Sequence, residues 1–142
     1  MFTAVRPICL PDPTQDYNKV TALVTGWGDT KYKGKQSKIL KKAWVTTFHC
    51  KKSNYPKHRI TENMICAQEA GTDACNGDSG GPLVVEGQNG SYSQIGVVSW
   101  GWHCGIPGLP GVYTNLAANL PWLTEIIKTV DPLPFSSFLC EI

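Results

Sequence analysis

The sequence predicts an all-β domain, an antiparallel barrel or sandwich, finished by one C-terminal helix. Short runs rich in Val, Ile, Thr and Trp recur between residues 20 and 116, each bounded by Gly, Pro, Asn or Asp, which is the rhythm of antiparallel sheets. Five tryptophans and a scarcity of helix-period segments point the same way. The length, 142 residues, suits one domain able to bury about two-thirds of its unfolded surface.

Residues 1–19 read as an extended, proline-punctuated lead-in. The strand candidates follow in order: "VTALVTGW" (20–27), "KILKKAWVTTF" (38–48), "NMICA" (63–67), "GPLVVE" (81–86), "SQIGVVSW" (93–100) and "GVYTNL" (111–116). "NGS" at Asn89 to Ser91 supplies a hairpin turn between the fourth and fifth runs, and it is also a glycosylation acceptor pattern. "NLPWLTEIIKTV" (119–130) is the helix. Asn119 is its expected cap, Pro121 suits a first turn, and Leu123, Ile126, Ile127 and Val130 fall on one face. Residues 131–142 form a proline-containing tail without a period.

Net charge is about +2 with His neutral, so nothing argues for nucleic-acid or membrane binding. Lysines nevertheless crowd "TKYKGKQSKILKK" (30–42), either a solvated loop and strand edge or a docking patch for an acidic partner. The six cysteines include no CxxC pair. They favour disulfides and an oxidising, secretory environment over metal binding, and no cofactor is called for. "MFTAVRPICLPDP" has neither the basic nor the apolar region of a signal peptide. A disulfide-type chain with such a start is expected to be part of a longer protein.

"ACNGDSGGPLVV" (74–85) carries the chemistry. A serine hydroxyl is too weak a nucleophile at neutral pH unless a base takes its proton. Acyl transfer also needs an exposed Oγ on a tight turn, with backbone N–H groups aimed at the developing oxyanion. Gly77, Gly80 and Gly81 around Ser79 let the backbone take that shape without Cβ clashes. The N–H groups of Gly77 and Ser79 then form the candidate oxyanion hole, where losing one donor costs about 3–4 kcal/mol.

"CNGDSGGP" (75–82) resembles the nucleophile signature of the trypsin/chymotrypsin family of serine endopeptidases. "TGWG" (25–28), "YPKHRITENMICA" (55–67), "VVSWG" (97–101) and "PGVYT" (110–114) match further family landmarks in order, over about residues 4–130. The resemblance implies the second, C-terminal barrel of a double-barrel protease, with residues 1–19 as the inter-barrel linker. It makes Ser79 the nucleophile and puts Asp73 at the base of a pocket selecting Arg or Lys, since a buried carboxylate needs a cationic partner. Ala74 beside it would favour Arg. Asn76, Ser99, Trp100, Gly101 and Gly111 surround the substrate, with Ser99–Gly101 pairing to its backbone as an added strand. Asp78 resembles the acid that receives a newly cleaved N-terminal amine. Cys50–Cys66 and Cys75–Cys104 match family bridges, each worth about 3–4 kcal/mol in the chain-entropy model. A third family bridge is replaced by Ala22 and Val85. Cys9 either pairs with Cys140 or takes a partner beyond this sequence.

The family's base and its orienting acid lie in "TAAHC"-like and "DIAL"-like motifs of the first barrel, and neither occurs in these residues. His49, His58 and His103 match second-barrel loops, and His103 replaces a pocket-rim glycine, which narrows the entrance. The resemblance therefore implies a serine endopeptidase acting on polypeptides with Arg or Lys at the cleaved bond, completed by the first barrel and open to protein inhibitors. The alternative is a catalytically inactive homologue that acts as a binding or regulatory module.

Overall fold

The computed structural model describes residues 7–88 and 90–130, and within them six antiparallel strands close into a barrel. β1 (Thr21–Gly26), β2 (Lys41–Phe48), β3 (Met64–Gln68), β4 (Pro82–Glu86), β5 (Tyr92–Trp100) and β6 (Gly111–Asn115) precede a helix, α1 (Leu116–Val130). Around the barrel the order is β1-β2-β3-β6-β5-β4, with β4 pairing back to β1. The expected strands are all present. β2 begins three residues later than its apolar run, because the Ser37 N–H turns back to the carbonyls of Trp27 (3.0 Å) and Gly28 (3.3 Å) and holds the approach as a loop.

Alternation builds the core. Ala22 and Val24 of β1 face inward, as do Val45 and Thr47 of β2, and Ala22 pairs with Val45 across the ladder. Ile65, Ala67, Leu83, Ile95, Val98 and Tyr113 complete the filling, each large aliphatic contributing about 1.5–3 kcal/mol on full burial. The β1/β4 register pairs Leu23 with Val84, so the next step sets Ala22 beside Val85. Both pack into the same cluster, two apolar residues where the family places a disulfide. A second cluster lies under the loop after β2, with the Cys50–Cys66 bridge, Tyr55 and Val112 at its centre.

The lead-in is tied down by backbone bonds. The Cys9 N–H donates to Tyr92 O (3.2 Å), and Cys9 O accepts from the Gln94 N–H (2.9 Å). Thr47, fully buried, accepts from the Val20 N–H (3.0 Å) and donates to Tyr17 O (2.6 Å). β4 and β5 form the expected hairpin, with the Gly87 N–H donating to Ser91 O at 2.7 Å. The glycosylation pattern at Asn89, the tail 131–142 and any pairing of Cys140 lie outside the described residues.

The helix corrects its expected start. It begins at Leu116, not at 119, and its cap is Asn115, whose Oδ1 accepts the Ala118 N–H at 3.3 Å. Asn119 sits one turn inside, its amide donating to Asn115 O at 2.7 Å. Pro121 is therefore interior and forfeits one backbone bond, in an exposed position. The expected apolar face also divides: Leu120, Leu123 and Ile127 turn inward, whereas Ile126 and Val130 are exposed.

Candidate active site

Two successive tight turns carry Ser79. The Asp78 N–H donates to Cys75 O (3.0 Å) and the Gly81 N–H to Asp78 O (2.9 Å). The end of the loop is then fastened to β5, with the Gly80 N–H donating to Val98 O and the Val98 N–H to Gly81 O, both at 2.9 Å. Its beginning is held by the Cys75–Cys104 bridge. Ser79 is left exposed between Gly77 (φ +94°) and Gly80 (φ +82°), in backbone that favours glycine. A Cβ on Gly77 would lie 2.6 Å from Gln36 Nε2. The N–H groups of Asp78, Gly80 and Gly81 are all engaged, whereas those of Gly77 and Ser79 donate to no acceptor among the described residues. Two unengaged donors beside an exposed hydroxyl are what a developing oxyanion requires.

Asp78 turns inward from the same loop. Its Oδ1 accepts the Gly28 N–H (2.7 Å) and its Oδ2 the Cys75 N–H (3.0 Å). The carboxylate lies so close to the β1 exit that a Cβ on Gly26 would fall 2.0 Å from Oδ1, and one on Gly28 2.5 Å from Cγ. "TGWG" is thus the seat of Asp78, a pairing across fifty residues that no local pattern discloses.

Asp73 is less completely satisfied. Oδ1 accepts the Gly105 N–H at 2.8 Å, while Oδ2 is buried without a hydrogen-bond partner. The nearby Gln68 amide instead donates to Ile106 O at 2.7 Å. Burial pushes the Asp73 carboxyl up to about 6, against the opposing pull of the Gly105 N–H. Tyr113 is a core residue coupled to Asp73 that sequence reasoning did not single out. Its buried hydroxyl also lacks a partner, and burial together with the Asp73 charge raises its pKa. A tyrosine at an inward-facing strand position was the available signal. Its ring lies 3.1 Å from where a Gly111 Cβ would stand, so a side chain there would press on the ring.

A cavity of about 300 Å³ runs behind the loop, and Asp73, Asp78, Cys75, Cys104, Gly26 and Gly28 are among its walls. Ser79, Gly77, Asn76, Ser99, Trp100, Gly101 and Gly111 are not. Ser79, Asn76, Ser99 and Gly101 lie on the open surface, and Ala74 packs against the core. Gly101 and Gly111 are adjacent, a Cβ on the former lying 3.8 Å from the latter's Cα. Trp100 rests on Tyr55 with ring centroids 4.8 Å apart, and the Tyr55 hydroxyl bridges the Trp102 N–H (2.9 Å) to Pro110 O (2.7 Å). No histidine hydrogen-bonds Ser79 among the described residues. His103 has a positive φ (+65°), and its ring stands edge-on to Tyr32 at 4.2 Å.

A family model described as Trypsin matches residues 1–123. The chain is 41% identical over 129 residues to "Transmembrane protease serine 9" of Rattus norvegicus, covering 87% of this chain and 12% of that protein. It is 36% identical over 129 residues to "Proclotting enzyme" of Tachypleus tridentatus, covering 85% of this chain and 34% of that protein. The chain thus spans from about a tenth to a third of the length of these relatives. No helix among the described residues is long and apolar enough to cross a membrane. The family match extends through all six strands and into the helix, and the serine turn it contains is built as described, so the chain belongs to the trypsin family.

Proposed function

We propose that this chain carries the nucleophile, the oxyanion hole and the specificity pocket of a secreted serine endopeptidase that cleaves after Arg or Lys. One observation supports it above the rest: Ser79 is exposed beside two unengaged N–H donors, while Asp73, six residues earlier, keeps a buried oxygen without a partner. In the reaction Ser79 Oγ attacks the scissile carbonyl carbon and its proton passes to a base. The Gly77 and Ser79 N–H groups hold the oxyanion. Collapse expels the amine, protonated by that same base, and water then hydrolyses the acyl-enzyme. An arginine or lysine side chain reaching Asp73 supplies the cation that its buried carboxylate lacks.

The base comes from a companion barrel, as the family resemblance implies. An apolar face is ready for such a neighbour: Trp27, Ile39 and Leu40, where β1 ends and β2 begins, are 56%, 64% and 54% exposed. Losing the histidine of such a triad costs about a millionfold in turnover. The test is a fluorophosphonate probe applied to the 142-residue chain and to its Ser79→Ala variant. Ser79 should label very slowly in the chain alone and rapidly once a companion barrel bearing the base is joined to it. Rapid labelling of the isolated chain would overturn the external base. Failure of the joined protein to label would favour an inactive binding module.

A further inference from the structure

We propose that the lysine-rich hairpin after β1 is an exosite for an acidic stretch of the polypeptide substrate. The segment 30–42 holds six lysines and no acid. Without those lysines the chain's formal charge of +2 would be −4, so they form a local field opposite to that of the remainder. All six are exposed, and none is in an ion pair among the described residues, where Lys51–Glu62 is the salt bridge present. The hairpin is built. Asp29 and Gln36 are bridged, the Gly34 N–H closes a turn onto Lys31 O at 2.8 Å, and the Ser37 N–H is anchored to Trp27 O. Lys33 lies over the Tyr32 ring, 5.5 Å from its centroid.

The position of the hairpin identifies the partner. Tyr32 packs on His103, and His103 is followed by bridged Cys104 and by Gly105, whose N–H holds Asp73. Lys31, Lys41 and Lys42 line the same cavity as Asp73. Two surfaces of opposite charge demand therefore lie a few residues of extended chain apart. A polypeptide with one cationic side chain and an acidic flank satisfies both. A uniformly anionic sulfated polysaccharide satisfies only the lysines, and a cationic flank would be repelled. The placement of the exosite beside the cleavage site rests on the Asp73 pocket reading.

Four labelled peptides separate exosite from pocket: an Arg or a Gln at the centre, each with an acidic or a neutral flank. Their binding to the full chain and to its Lys31→Gln/Lys33→Gln/Lys35→Gln variant is followed by fluorescence anisotropy, with retention of fold checked by circular dichroism. The acidic flank should tighten binding about tenfold at low salt and by less than about twofold at roughly 0.5 M salt. The gain should disappear in the variant. An acidic flank without effect, or an effect that survives in the variant, overturns the exosite even if Arg still outbinds Gln. If the flank matters and Arg does not, the exosite stands and the pocket reading falls. Lysine-dependent binding of a heparin-type oligosaccharide, with no flank effect among the peptides, would reassign the surface to polysaccharide and overturn the proposal.

Discussion

Replacing Asp73 with Asn tests the buried acid directly, and the sign of its pH dependence is fixed by the structure. The carboxyl ionises at about 6 in the fold, against 3.8 for an unperturbed aspartate in the unfolded chain. Below pH 3.8 it is protonated in both states, and Asp73→Asn should change stability little. As pH rises through about 6, the folded chain must ionise a group that the unfolded chain ionises more easily, so the wild type loses stability that the variant keeps. At full weight the loss is about 3 kcal/mol. The side chain is partly open to solvent, and screening leaves roughly 1–2 kcal/mol. The amide oxygen can still accept the Gly105 N–H, so that contact is not sacrificed. Urea unfolding followed by tryptophan fluorescence, with disulfides intact, should show the variant gaining on the wild type between about pH 4 and 7. An arylamidine cation should bind the wild type more tightly across the same interval and the variant hardly at all. A variant no more stable than wild type at neutral pH, or a difference independent of pH, would refute the unsatisfied-carboxylate reasoning.

Gly77→Ala places a Cβ at positive φ and against the Gln36 amide. It should cost about 1–3 kcal/mol and slow fluorophosphonate labelling of the completed enzyme, both readable from one preparation. Thr47→Val leaves the partly buried Val20 N–H without its 3.0 Å acceptor, and urea unfolding should register a loss of about 1–3 kcal/mol that Thr47→Ser largely restores.

What the sequence disclosed is what depends on neighbours along the chain. Strand positions followed from short β-rich runs bounded by turn residues, and the glycines around Ser79 announced a backbone that no other residue takes comfortably. What it withheld depends on partners far apart. The helix cap moved from Asn119 to Asn115 because β6 runs directly into α1, leaving Asn115 at the junction with its side chain free to turn back. The division of the helix face had a similar cause. A helical period reports that a stripe exists, but only packing against β5 decides which part of it is covered. Tyr113 went unremarked within "GVYTNL", because its closeness to the bare Cα of Gly111 and to Asp73 exists only in the fold.

Asp73 and Asp78 show how one loop sets two acids to different work. Both line one cavity, yet Asp78 has each oxygen on a backbone N–H and Asp73 has only one so engaged. A buried acceptor without a donor is costly, so a cation reaching Asp73 gains more there than one reaching Asp78 would. Asp78 instead joins the β1 exit to the serine turn, across fifty residues. Each of its oxygens retains a lone pair beyond the bond already made. An amine arriving there would add to those bonds rather than break them, drawing Gly28, Cys75 and the intervening turn about one centre. The proposed ligand capture at Asp73 and the loop shaping by Asp78 are then five residues apart, and a change at Asp73 should alter specificity while leaving the scaffold of Ser79 in place.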